Sequence, residues 1–227
     1  MSLVRHAARV AWKDLMVEVR TKEIIYTMAF FAGLLVVVFA IAFPPNPRLV
    51  AGAAPGMLWV TLAFAGVIGL GRAFDREREN DTMRALLLAP VPRLAVFLGK
   101  AAAMTVLVLV VAAVALPLLA LFVGADVFRH PGPMLVSVVL GAVGFALVGT
   151  VFAASLLKVR SRDVLLPVVL FPLLIPLFIS GTNAAAAMLR LPEGDPAAAW
   201  YWIRFLGIYD AVFLVVSLWT FESLVIE

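Results

Sequence analysis

Five runs of at least twenty residues carry no formal charge: 24–43, 49–71, 101–125, 134–157 and 164–183. A sixth apolar run, from about Arg204 to Phe221, holds one internal carboxylate, Asp210. Twenty residues of helix measure about 30 Å, the thickness of the hydrocarbon layer of a bilayer. Hydrophobic residues make up 64% of the 227 positions and charged residues 14%, against roughly a quarter charged in soluble domains. A water-soluble fold of this length has too little interior for so much apolar surface, so the bilayer is the expected solvent. The chain has no cysteine, which excludes disulfides, thiolate metal sites and cysteine nucleophiles. Its first 23 residues are of mixed charge, unlike a signal peptide.

Residues 1–23 read as an amphipathic helix. Val4, Ala8, Ala11, Trp12, Leu15, Met16 and Val19 recur at spacings of three and four, which puts them on one face. Arg5, Arg9, Lys13, Glu18, Arg20 and Lys22 take the other side. Trp12 suits the headgroup layer, and Arg5, Arg9 and Lys13 suit an anionic leaflet. An interface helix lying on the membrane is expected. Six spans follow, at about 24–43, 50–71, 98–124, 134–157, 164–183 and 204–221, in one permease-like domain covering 1–227. PPNP at 44–47 stops the first span, and Pro117 lies inside the third. In the fourth, Ser137, Gly141, Gly149 and Ala153 form a row of small residues interrupted by Phe145, a surface for close helix packing. The fifth contains Pro167, Pro172 and Pro176. It should be bent or locally unwound, with its freed carbonyls meeting protein. Residues 184–202, with the PEGDP turn and the aromatic Trp200, Tyr201 and Trp202, read as a re-entrant or surface-lying element in which Asp195 caps a helix opened by Pro196.

One strongly charged stretch interrupts the apolar runs: RAFDRERENDTMRALLLAPVPRLAVFLGK, Arg72 to Lys100. Arg72, Asp75, Arg76, Glu77, Arg78, Glu79, Asp81 and Arg84 fall within thirteen residues. Asp81 is placed to cap a short helix carrying Met83, Leu86, Leu87 and Leu88, stopped by Pro90 and Pro92. A helix with one apolar and one charged side, held between two spans, suits docking of a soluble partner. The basic residues set orientation. Fourteen Lys and Arg lie in the N-terminus and the 72–100 and 158–163 loops, and four in the other connections. That places the N-terminus, both charged loops and the C-terminus in the cytoplasm.

Catalytic motifs are missing. Gly99-Lys100 is followed by alanine and lacks the upstream glycine of a nucleotide-binding loop. GLGRAF at 69–74 closes a span and ends in Phe74. His6 and His130 are the two histidines, and His130 reads as a solvated loop residue. Asp210 either serves an ion pathway or pairs with Arg204 or a tyrosine hydroxyl.

Taken together, the amphipathic N-terminus, APGMLWV around Trp59, the GLGRAFDRERENDTMRALLLAPVPR stretch, Gly99-Lys100 and LPVVLFPLLIPLFI resemble the heme exporter protein B (CcmB) family of the cytochrome c maturation system. The resemblance spans essentially the whole chain. It implies an all-α integral membrane protein with six transmembrane helices and an N-terminal interface helix, like ABC-2 type permeases. It implies a non-catalytic subunit in the bacterial inner membrane, with ATP bound by a separate CcmA-like ATPase. Further implied partners are CcmC-like and small CcmD-like membrane proteins and a CcmE-like heme chaperone, with lipid around them and no nucleic acid. The 72–93 stretch matches the family's ATPase-coupling loop. The complex handles heme, but the tryptophan-rich heme motif of CcmC is absent, so no cofactor is expected on this chain. The alternatives are a permease of the same fold for another substrate, a non-transporting scaffold for heme-chaperone assembly, and an ion-driven transporter using Asp210.

Overall fold

The computed structural model describes residues 3–44, 46–79, 91–156, 159, 161–189 and 194–224. Among them are seven α-helices and no strand. They are α1 (Leu3–Thr21), α2 (Glu23–Ala42), α3 (Pro47–Glu79), α4 (Arg93–Leu118), α5 (Pro131–Ser155), α6 (Arg162–Leu189) and α7 (Pro196–Leu224). Helices α2 to α7 are each long and apolar enough to cross a membrane. Helical form is forced on such segments, because a bilayer offers no partners for unpaired backbone groups.

Helix α5 lies at the centre, packed on α3, α4, α6 and α7. Burial is greatest along α3 and α5 and least along α2 and α7. The α3–α5 seam pairs large with small. Trp59 lies on Gly141, Phe145 on Gly66, and Leu70 on Gly149, leaving no room for a Cβ at any of the three glycines. Phe145 therefore does not interrupt the row of small residues; it fills the hole left by a glycine across the seam. Trp59 also covers Gly181 of α6, so one indole is held between two glycines on different helices.

Prolines have different outcomes. After Pro117, α4 widens into a π-helical turn, Leu119–Val123, that ends at Gly124 with φ 76°. Helix α6 stays helical across Pro167, Pro172 and Pro176, so of the bend or local unwinding expected there, the unwinding is not found. Leu173 of this helix accepts a hydrogen bond from the Tyr209 hydroxyl of α7 at 3.0 Å.

Among the described residues, the separate re-entrant or surface-lying element expected at 184–202 is not found either. The alanine-rich stretch after Asn183, made of good helix formers, continues α6 to Leu189, and residues 196–202 open α7. Asp195 does cap α7, its Oδ1 accepting the Ala198 N–H at 3.0 Å. A third difference concerns the charged stretch. Residues 72–79 extend α3 rather than forming a loop. Opposite charges spaced three apart, such as Arg72 with Asp75 and Arg76 with Glu79, favour helix there.

Candidate functional site

At one end of the bundle the N-terminal helix meets the charged ends of α3, α4 and α6. Helix α1 packs along α4 through a face built from Ala7, Val10 and Asp14. Gly99 is the crossing point: a Cβ there would lie 2.7 Å from the Ala7 carbonyl oxygen and 2.6 Å from the Val10 Cβ. Much of the apolar face read from the sequence points away from the protein, while Leu15 packs against the core. Val4, Trp12 and Val19 are exposed, as are Arg5 and Arg9. That is the arrangement of an interface helix, with apolar and basic groups free for lipid and headgroups.

Two buried cations brace this end. Lys100, 5% exposed, lies 3.4 Å from Asp14 of α1, whose other oxygen meets Lys13 at 2.8 Å. The Lys100 ammonium also stands 5.6 Å from the centre of the Phe74 ring of α3, within cation–π range. Arg162, 3% exposed, opens α6 and reaches back to α3. Its Nη2 donates to the Gly71 carbonyl at 3.0 Å and to the Asp75 carboxylate. Its Nε lies 3.6 Å from Asp163. Buried charges persist only when paired, so these contacts hold the α1, α3, α4 and α6 ends as one frame. The joint between α1 and α2 is equally defined. Lys22 adopts a left-handed conformation, φ 56°, and Glu18 Oε1 accepts the Ile25 N–H at 2.9 Å, capping α2.

Of the residues expected to dock a partner, Arg72 is exposed on α3 and Asp75 is engaged by Arg162. Arg76, Glu77, Arg78 and Glu79 lie on the last turns of α3, their side chains outside the described set. Asp81, Met83, Arg84, Leu86 and Leu87 lie outside the described residues. The segment they belong to leaves from α3, pinned by Arg162, and returns in α4, pinned to α1 by Lys100. Sequence reading missed Asp14, Lys100 and Arg162 as members of this site. The signal was present for Lys100, one charge inside an otherwise apolar stretch.

Asp210 lies deep in α7, 8% exposed, beside Gly144 of α5 and Leu177 of α6. Neither expected pairing is formed: Arg204 is exposed, and the Tyr209 hydroxyl is committed to Leu173. Among the described residues no group hydrogen-bonds to either Asp210 oxygen. The opposite end of the bundle gathers the remaining connections. Gly194 rests on the His130 ring and the Met188 carbonyl. Beside them Asp126, Arg129, Pro47 and Leu189 line a cavity of about 130 Å³.

The sequence matches the family model described as CcmB protein over residues 5–225. It is 29% identical to "Heme exporter protein B" of Pseudomonas aeruginosa over 171 residues, covering 75% of this chain and 76% of the relative. The protein of the same name from Haemophilus influenzae is 25% identical over 187 residues, 82% of this chain and 84% of the relative. The one from Rhodobacter capsulatus is 31% identical over 162 residues, 69% and 71%. With six span-length helices and a match running from the N-terminal helix to the last, the chain is a multi-pass membrane protein that belongs to the CcmB family.

Proposed function

We propose that this chain is the permease subunit of an ATP-driven heme-export complex of cytochrome c maturation. A separate CcmA-like subunit binds and hydrolyses ATP, and this chain passes the energy on so that a heme-loaded, CcmE-like chaperone is released at the outer face. The relatives' printed name supplies heme as cargo. The observation that carries the coupling role is the braced end of the bundle, where Lys100 and Arg162 fix both roots of the charged segment. A segment that receives force needs rigid roots, or the force dissipates in local bending.

In this reading the N-terminus, the 72–92 segment and the C-terminus are cytoplasmic, in the bacterial inner membrane, by the distribution of basic residues. The chain works with CcmC-like and CcmD-like membrane subunits, is itself non-catalytic and binds no cofactor. Exposed ion pairs contribute only about 0–1 kcal/mol each. Met83, Leu86 and Leu87 therefore supply most of the docking energy, and the alternating charges set orientation. The test is co-purification of the ATPase subunit with a Met83→Asp/Leu87→Asp double variant. Loss of the ATPase from a variant still inserted in the membrane is expected. Retention at wild-type stoichiometry would remove the segment from the coupling role.

A further inference from the structure

We infer that Arg162 is the positioning residue through which movement of the 72–92 segment reaches α6, and through α6 the last span, α7. The inference rests on the reading that this segment docks an ATPase. Arg162 is almost fully buried, and both groups held by its Nη2, the Gly71 carbonyl and the Asp75 carboxylate, belong to the last turns of α3. Helix α3 ends at Glu79, one turn beyond Asp75, so the first part of the charged segment is its last two turns. A pull on the segment is thus a pull on the acceptors of Arg162. A guanidinium presents its donors in a rigid planar fork, so α6 either follows α3 or loses the contact altogether.

A relay also needs a second arrangement to move into. Nη1 of Arg162 is buried and, among the described residues, has no hydrogen-bond partner. An unfilled donor next to two filled ones lets Arg162 exchange acceptors while staying paired. Downstream, the Leu173 carbonyl of α6 is tied to the Tyr209 hydroxyl of α7 at 3.0 Å. The chain of contacts therefore runs α3 to Arg162, along α6, and across to α7, the helix that carries Asp210.

The experiment uses the complex of this chain with its ATPase and membrane partners in lipid nanodiscs. It compares wild type, Arg162→Lys, Asp75→Asn and the double variant. Three quantities are read: ATPase stoichiometry, ATP turnover, and heme-loaded chaperone released per ATP. Lysine keeps the charge and loses the fork; Asp75→Asn leaves the Gly71 contact in place and guards against a folding defect in the first variant. The expected result is release per ATP lowered about tenfold in each variant, the scale of a coupling residue, with stoichiometry and turnover normal in the Arg162→Lys complex. The double variant should be no worse than the more affected single one, because both break one link. Release per ATP at the wild-type value, or falling only with the amount of folded complex, overturns the relay. So does loss of the ATPase from the Arg162→Lys complex, which would make Arg162 part of the docking surface. Absence of an ATPase from the wild-type complex would instead overturn the proposed function beneath it.

Discussion

Gly99→Ala tests whether α1 is seated as described. A Cβ at position 99 would meet the Ala7 carbonyl oxygen at 2.7 Å and the Val10 Cβ at 2.6 Å. Neither atom is the movable end of a side chain, so α1 itself must retreat. Restoring contacts to about 3.5 Å or more requires a shift of about 1 Å. The Lys100–Asp14 separation, 3.4 Å now, then exceeds the ~4 Å limit of an ion pair. Overpacking of this kind costs about 1–3 kcal/mol, and Gly99→Val should cost more. Gly52 in α3 is the control, because nothing lies within 4 Å of a Cβ built there. Gly52→Ala should be neutral or stabilising by about 0.5–1 kcal/mol, through helix propensity alone. The assays are unfolding by detergent titration and protection of a cysteine placed at Ala7, in a chain with no cysteine of its own. If Gly99→Ala unfolds within about 0.5 kcal/mol of wild type and leaves that cysteine protected, the close crossing is wrong.

Trp59→Ala empties the space between Gly141 and Gly181 and should destabilise by about 3–5 kcal/mol; a loss below 1 kcal/mol in the same titration would place the indole elsewhere. Tyr209→Phe removes one hydrogen bond to Leu173 and should cost about 0.5–1.5 kcal/mol, checked by the same unfolding midpoint. Asp210→Asn breaks no hydrogen bond, so assembly and melting temperature should hold; a clear fall in either would show that the carboxyl has a partner in the assembled complex. Reporter fusions at His130 and Gly194 should read outside and at Arg78 inside, and a cytoplasmic signal at His130 contradicts the assigned orientation.

The six membrane helices were legible because uncharged runs of span length have few folds open to them. Their ends were less so. Charge at 72–79 suggested a loop, yet α3 continues to Glu79, since a helix leaving the bilayer keeps its hydrogen bonds. The PEGDP turn and the aromatic cluster suggested a separate element at 184–202, but no charge interrupts Asn183 to Leu189 and the helix runs on. Helix α1 was recognised by its apolar face, but it seats on α4 through Ala7 and Val10, which belong to neither the apolar nor the charged side read from the sequence. Ala7 and Val10 fit only because Gly99 lies opposite. The pairs Lys100–Asp14 and Arg162–Asp75 join residues 86 and 87 positions apart. No local pattern encodes such pairs; they follow from which helix ends the topology brings together. Asp210 was visible as a lone carboxylate, but its lack of a partner was not, because Tyr209 is adjacent in sequence and turns its hydroxyl to α6.

In the proposed function this chain converts ATP hydrolysis in a bound subunit into release of a heme-loaded chaperone. The most direct measurement is a release assay on the purified complex in nanodiscs, with ATP or a non-hydrolysable analogue. Release with ATP, none with the analogue, and none when this chain is left out is the predicted result. Chaperone release at the same rate with the analogue, or without this chain, would contradict it.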